Sequence, residues 1–303
     1  MERVLRDKKA IVIFLLPSFL LFTLIVIVPI FMSMFYSLHD WSGIGERTFI
    51  GLDNYINLFK DSLFINASQN TLVIALASVF IQLPLAMLLA LVLAKVVKRK
   101  RFFITVYFIP VILSAVVIGQ LWMRIYNTQY GLLNLFLRGI GMDELGSTAW
   151  LGNVDTVFIA VLIVILWQYV GYHMLLFYSG IRSISPDIFE AAKIDGASFW
   201  RTSISITIPL LKPIILVSTT FAVVGSMKVY DIVRVLTTDG GPAKASDVVS
   251  TLLVRTMIFP GSSYGYGSSM AIMLIVMCIS LYFLLAYAFR DRDNTLQRRR
   301  NRG

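Results

Sequence analysis

Six apolar stretches, each close to 20 residues or longer, set the terms on which this chain folds. They run from about Ala10 to Leu38, Thr71 to Ala94, Phe102 to Ile125, Val157 to Tyr178, Ile208 to Val229 and Ser268 to Phe289. A bilayer core takes about 20 apolar residues per helix, and in lipid the backbone amides must find partners within a helix or a closed barrel. The expected fold is therefore all-α: a polytopic membrane protein with six transmembrane helices. Composition agrees, because 57% hydrophobic and 15% charged residues with a mean hydropathy of +0.78 suit lipid better than water as the solvent. The first stretch is too long for a signal-peptide core and runs into Tyr36-Ser37-Leu38-His39 without a small-residue cleavage site, so it is expected to be retained. No segment between spans is long enough to bury a core of its own, and residues 1–303 are read as one transmembrane domain.

Orientation follows from the 27 Lys and Arg residues, which accumulate on the cytoplasmic side of such proteins. Arg3, Arg6, Lys8 and Lys9 precede the first span, and Lys95, Lys98, Arg99, Lys100 and Arg101 fill the second connection. Arg182, Lys193, Arg201 and Lys212 fall in the fourth connection, and six arginines follow the last span, making 19 on one side. Arg47, Lys60, Arg138, Arg234, Lys244 and Arg255 make six on the other. Both termini are thus expected in the cytoplasm. The same distribution accounts for the net charge of +10 as a topology signal beside membrane lipid, with no nucleic acid implied.

Several chemistries find no support. The GxxxxGK[ST] phosphate loop is missing, so the chain is expected to hydrolyse no ATP itself. All 17 acidic residues fall in loops, tails or span ends, which argues against a proton or sodium site at mid-membrane. Arg124, His173 and Lys228 lie within spans, where they either line a wet path or snorkel and pair with neighbours. Gly261-Ser262-Ser263-Tyr264-Gly265 fits the GxSxG nucleophile pattern, but the only histidines, His39 and His173, precede it, so Ser263 is read as a loop residue. No His or Cys cluster has metal spacing, and the single Cys278 allows no intrachain disulfide. The expectation is a protein that is not an enzyme and holds no cofactor of its own.

The fourth connection is more organised than a tether. From Ser185 to Ala197 it reads as a short capped helix: Ser185 as N-cap, Pro186 at the first helical position, Asp187 at the positive end of the dipole and Gly196 just past the end. Ile188, Ala191, Ala192 and Asp195 share a face whose two alanines permit close approach to another surface. Such a helix either plugs into a partner or lies on the lipid surface.

The run EAAKIDGASFWRTSISITIPLLKP resembles the EAA loop of ABC-importer permeases. Glu190, Ala191, Ala192, Gly196, Ile206 and Pro209 stand at the required positions, with Ile208 in place of the usual Leu and Ser203 where Phe is common. FIGLDNYINLF, LTTDGGP at Leu236–Pro242 and YGYGSSMA resemble the carbohydrate-uptake, maltose-type branch, so that the similarity covers nearly the whole chain. The resemblance implies a prokaryotic, multi-pass cell-membrane subunit that forms half of a pathway for a sugar or oligosaccharide. The implied partners are a second homologous permease, an extracytoplasmic sugar-binding protein and dimeric ATPase subunits that bind ATP and Mg. Glu190, Ala191, Ala192, Asp195, Gly196 and Pro209 become the ATPase-coupling residues.

The pathway is expected between the fourth and fifth spans, where polar groups sit that lipid would penalise. Trp167, Gln168, Gly171 and Tyr172 form one candidate set, with aromatic rings suited to stacking on a sugar. Ser218, Ala222, Gly225, Ser226 and Tyr230 form the other, on or beside a small-residue face that also includes Val229. By resemblance, the family's sugar pocket lies at these two spans; for any one residue, ordinary small-residue helix packing is the competing explanation. A self-sufficient ion-coupled carrier is the alternative function, and a membrane-bound enzyme a third.

Overall fold

The computed structural model describes residues 8–95, 97–238, 240–258 and 263–289. Helix α1 (Val12–Tyr36) is followed by a short hairpin, β1 (His39–Asp40) and β2 (Thr48–Phe49), antiparallel with His39 opposite Phe49. This two-residue ladder departs from the all-helical expectation. Helices α2 (Asp53–Leu58), α3 (Ser62–Lys95), α4 (Lys100–Ile112), α5 (Ala115–Ile125), α6 (Leu132–Gly139), α7 (Asp143–Gly146) and α8 (Val154–Ser183) come next. They are followed by α9 (Pro186–Ile194), α10 (Phe199–Leu210), α11 (Lys212–Met227), α12 (Asp231–Thr237), α13 (Val249–Ile258) and α14 (Tyr264–Phe289).

Among the described residues, four helices are long and apolar enough to cross a membrane unbroken: α1, α3, α8 and Tyr264–Tyr287 of α14. The uninterrupted spans expected at Phe102–Ile125 and Ile208–Val229 are instead bent pairs, α4 with α5 at 102° and α10 with α11 at 72°. The count reaches six if each pair is one span. Local chemistry explains both breaks. Leu113 and Ser114 are extended, and the Ser114 hydroxyl accepts from the Val117 amide to start a new helix. At the second break, Pro213 has no amide hydrogen to give the carbonyl of Pro209, so the ladder loses that bond at the bend, although Leu211 still donates to Thr207 and accepts from Ile215. Five-residue π turns, Thr23–Ile27, Ser78–Gln82 and Ser203–Thr207, interrupt three of the helical segments.

The described residues fall into two compact units, one drawn from the stretches 1–65 and 253–276 and the other from 66–252 and 277–303. In the first, the Tyr264 amide donates to the Trp41 carbonyl at 2.8 Å and the Tyr266 hydroxyl to Asp61 at 2.8 Å. Asn54 holds the carbonyls of Ser37 and His39 at 2.8 and 3.0 Å. In the second, small residues on α3, Ala86 and Ala90, let α8 approach closely, and Met174, Phe177, Leu211 and Val223 fill the space around them. A second cluster gathers Ile74, Ile118, Val161, Val164 and Val233. Asn66 and Asn70, one turn apart on α3, donate to the carbonyls of Lys244, Ala245 and Asp247, and Thr71 accepts from the Val249 amide at 3.1 Å. These bonds pin the irregular stretch before α13.

Candidate functional site

A cavity of about 400 Å³ opens among α3, α8, α11 and the start of α12. Gln168 and Tyr172 of α8 face it from one side, and Ala222, Gly225 and Ser226 of α11, with Tyr230, face it from the other. Of the nine expected pathway residues, these six are brought together. The other three lie outside the lining. Trp167 packs edge-on against Trp122 with ring centroids 5.4 Å apart. Gly171 lies so close to α4 that an added β-carbon would run into the Tyr107 carbonyl, a helix contact only glycine permits. Ser218 is fully buried and its hydroxyl meets His173 Nδ1 at 2.7 Å.

The lining, though mostly apolar, carries polar groups that lipid alone would not favour. Gln168 is buried, with 3% of its surface exposed, yet its amide has no hydrogen-bond partner among the described residues. Gln82, by contrast, donates to the Leu166 carbonyl at 2.7 Å, and Ser226 donates to the Ala222 carbonyl at 2.8 Å while lying 3.2 Å from the Ser78 hydroxyl. Tyr172 stands edge-on to Phe221 at 6.0 Å, and an added β-carbon at Gly225 would meet nothing within 4 Å. Lys228 and Asp231 add one charge of each sign to the rim, and His173 turns its ring into the same lining. Arg124 is exposed in the last turn of α5, away from the cavity.

Ser78, Gln82, Tyr169, Phe221 and Asp231 belong to this site without having been singled out from the sequence. Ser78 and Gln82 carried a readable signal: a polar pair four residues apart inside an apolar span, now on the π turn of α3.

The coupling candidates form a separate feature. Helix α9 begins at Pro186, which drives Ser185 into an extended conformation and so ends α8. Ser185 stands at the N-cap position as expected but makes no side-chain cap; its hydroxyl donates to Asp187 at 3.2 Å instead. The far end is fixed by two bonds, Ala197 N–H to the Ala192 carbonyl at 2.9 Å and Gly196 N–H to the Lys193 carbonyl at 3.1 Å, with Gly196 at φ 71°. That is a Schellman cap, and the positive φ is why glycine stands there. Ala192 is buried against the protein, whereas Glu190, Ala191, Asp195 and Gly196 are exposed and Ile194 is 86% exposed. Pro209 lies in the last turn of α10, where it leads into the bend.

Ser263 lies at the start of α14, its hydroxyl accepting from the Tyr266 amide; Gly261 and Ser262 are outside the described residues. Among the described residues no group of three or more His, Cys, Asp or Glu could hold a metal ion.

Apolar helices around a cavity that carries polar groups, with a rigidly capped short helix exposing one face, fit the architecture of a membrane permease. Residues 71–293 match the family described as binding-protein-dependent transport system inner membrane component, and the chain belongs to that family. It is 38% identical to the probable ABC transporter permease protein YurN of Bacillus subtilis, over 92% of this chain and 95% of that one. It is 31% identical to the trehalose/maltose transport system permease protein MalF of Thermococcus litoralis, over 93% of each. A chain in the crystal structure of a bacterial ABC transporter involved in the import of the acidic polysaccharide alginate shares the fold, with a TM-score of 0.79 at 23% identity, covering 95% of this chain and 97% of that one. The protein is an integral inner-membrane transport component.

Proposed function

We propose that this chain is one of two permease subunits of an ATP-driven importer for a sugar or oligosaccharide, with six spans and both termini in the cytoplasm. The observation that carries the proposal is the cavity: the buried Gln168 amide, the Tyr172 ring and the open face at Gly225 meet inside apolar helices. Neutral polyols need hydrogen-bonding amides and flat rings, and such a lining offers both. Support for sugar as cargo comes from relatives named for trehalose and maltose, for lactose, and for diacetylchitobiose.

In this reading a second, homologous permease completes the pathway, an extracytoplasmic binding protein delivers the cargo, and dimeric ATPase subunits bind ATP and Mg. The last of these would receive α9, whose exposed Glu190 and Ala191 suit insertion into a groove. Because Ala192 is buried against the body and the Gly196 cap fixes the turn after α9, a push on it is transmitted to α8 and α10 instead of being absorbed by a loose loop. The cavity then opens alternately to the two sides of the membrane. The test is reconstitution of the whole assembly in proteoliposomes with trehalose, maltose, lactose and diacetylchitobiose. ATP hydrolysis stimulated by at least one sugar, with uptake of that sugar, is expected; uptake by this chain without ATPase subunits would overturn the proposal.

A further inference from the structure

We infer that Lys95 is a positioning residue for coupling: its ammonium holds the two aromatic rings that root the segment carrying α9 and ties that segment to the end of α3. The inference rests on the lever reading of α9 given above.

Lys95 is the last residue of α3, and its Nζ lies 5.1 Å from the centroid of Phe189 and 5.6 Å from that of Phe199. The two rings bracket the motif. Phe189 directly precedes Glu190 on α9, and Phe199 opens α10 three residues after Gly196. Both are partly buried against the core cluster that includes Ala86, Ala90 and Phe177. A cation over an aromatic face is attracted by the ring quadrupole, and one cation serving two rings fixes their relative position as well. The neighbouring Lys100 is otherwise engaged, its Nζ donating to the Ala94 carbonyl at 2.7 Å.

What this contact joins gives it a role. Helix α9 is connected covalently to α8 through Ser185 and to α10 through Gly196, two points about which it can pivot. A side contact to α3 supplies a third point. Helix α3 runs from Lys95 to the π turn carrying Ser78 and Gln82, which line the cavity. A movement of α9 therefore reaches the cavity from the α3 side as well as along α8 and α11, and the ammonium at Lys95 is where that second route begins.

The experiment uses the assembled complex with a cysteine replacing Val229, a cavity residue, in a Cys278→Ser background. The readout is the change in labelling rate by an impermeant methanethiosulfonate when ATP and vanadate are added. Lys95→Met is expected to shrink that change about threefold to fivefold, the scale of one exposed cation–π contact to a pair of rings. Lys95→Arg should restore it, since a guanidinium also stacks on aromatic faces. Phe189→Leu with Phe199→Leu should mimic Lys95→Met, and adding Lys95→Met to that pair should change nothing further. A normal response in Lys95→Met while Glu190→Ala abolishes it overturns the role of Lys95 and leaves the lever standing. A normal response in Glu190→Ala overturns the lever, and this inference with it.

Discussion

Helix α9 and the cavity-facing parts of α8 and α11 draw on the same small residues and put them to opposite uses. In α9, Ala191 and Glu190 are exposed, while Ala192 is buried and Phe189 packs partly buried against the core. In α11, Ala222 and Ser226 are almost wholly buried, at 4% exposure each, and their small size leaves room for the cavity beside them. The first arrangement offers a surface to another protein; the second withholds a surface from lipid. The difference teaches that small residues mark close approach, and that only the environment says whether the approaching body is a partner, a neighbouring helix or a ligand.

The largest effect is expected where the exposed helix is disturbed without touching the body. Glu190→Ala should lower sugar uptake by about tenfold or more at matched levels of assembled complex, the scale of a lost charge-assisted hydrogen bond. Gly196→Val should do the same, because a β-branched residue resists the φ of 71° found there. Binding of sugar to the external binding protein should be untouched in both. Normal uptake in both variants would show that α9 is a connector and erase the contrast.

A smaller and different effect belongs to the cavity. Gln168→Ala and Tyr172→Ala should each raise the half-saturating sugar concentration about two- to tenfold, the scale of one hydrogen bond or ring contact, with the complex assembling normally. Gly225→Leu should penalise disaccharides more than monosaccharides, since the added side chain enters open space. Gly171→Leu sharpens the comparison from the packing side: clash with the Tyr107 carbonyl should reduce the amount of assembled complex instead of altering its sugar selectivity. If Gly171→Leu assembles and only changes selectivity, the division between lining and packing residues on α8 is misplaced.

The smallest perturbation tests orientation without changing function. Cysteines at the exposed Ser42 and Ser147 should react with an impermeant reagent added outside intact cells, and one at Asn301 should not. Ser246 falls in an outer connection of the expected topology, yet its surface is fully buried, so labelling there would report local opening instead of side. The reverse pattern would invert the membrane topology on which α9 meets a cytoplasmic ATPase.

Much of this protein was legible from the chain alone because its strongest signals are local. Hydropathy over 20-residue windows marks membrane helices, since the cost of an unpaired amide in lipid applies to each segment separately. Pro186 and Gly196 bound α9 for equally local reasons, a fixed φ at one end and a left-handed turn at the other. The bends were less legible: Pro213 and Ser114 stood in the sequence, but apolarity continues across both breaks while the hydrogen-bond ladder is interrupted there. Tertiary structure alone decided the cavity. Helical period says that Gln168 and Tyr172 share a face, and it equally permits Gly171 and Ser218 as neighbours; it does not say that α4 closes over Gly171 or that His173 takes the Ser218 hydroxyl. Nor does it bring Ser78 and Gln82 from a distant stretch of chain to the same lining. The physical reason is that a polar side chain in a span acquires its meaning from what packs opposite it, and that depends on contacts between residues far apart in sequence.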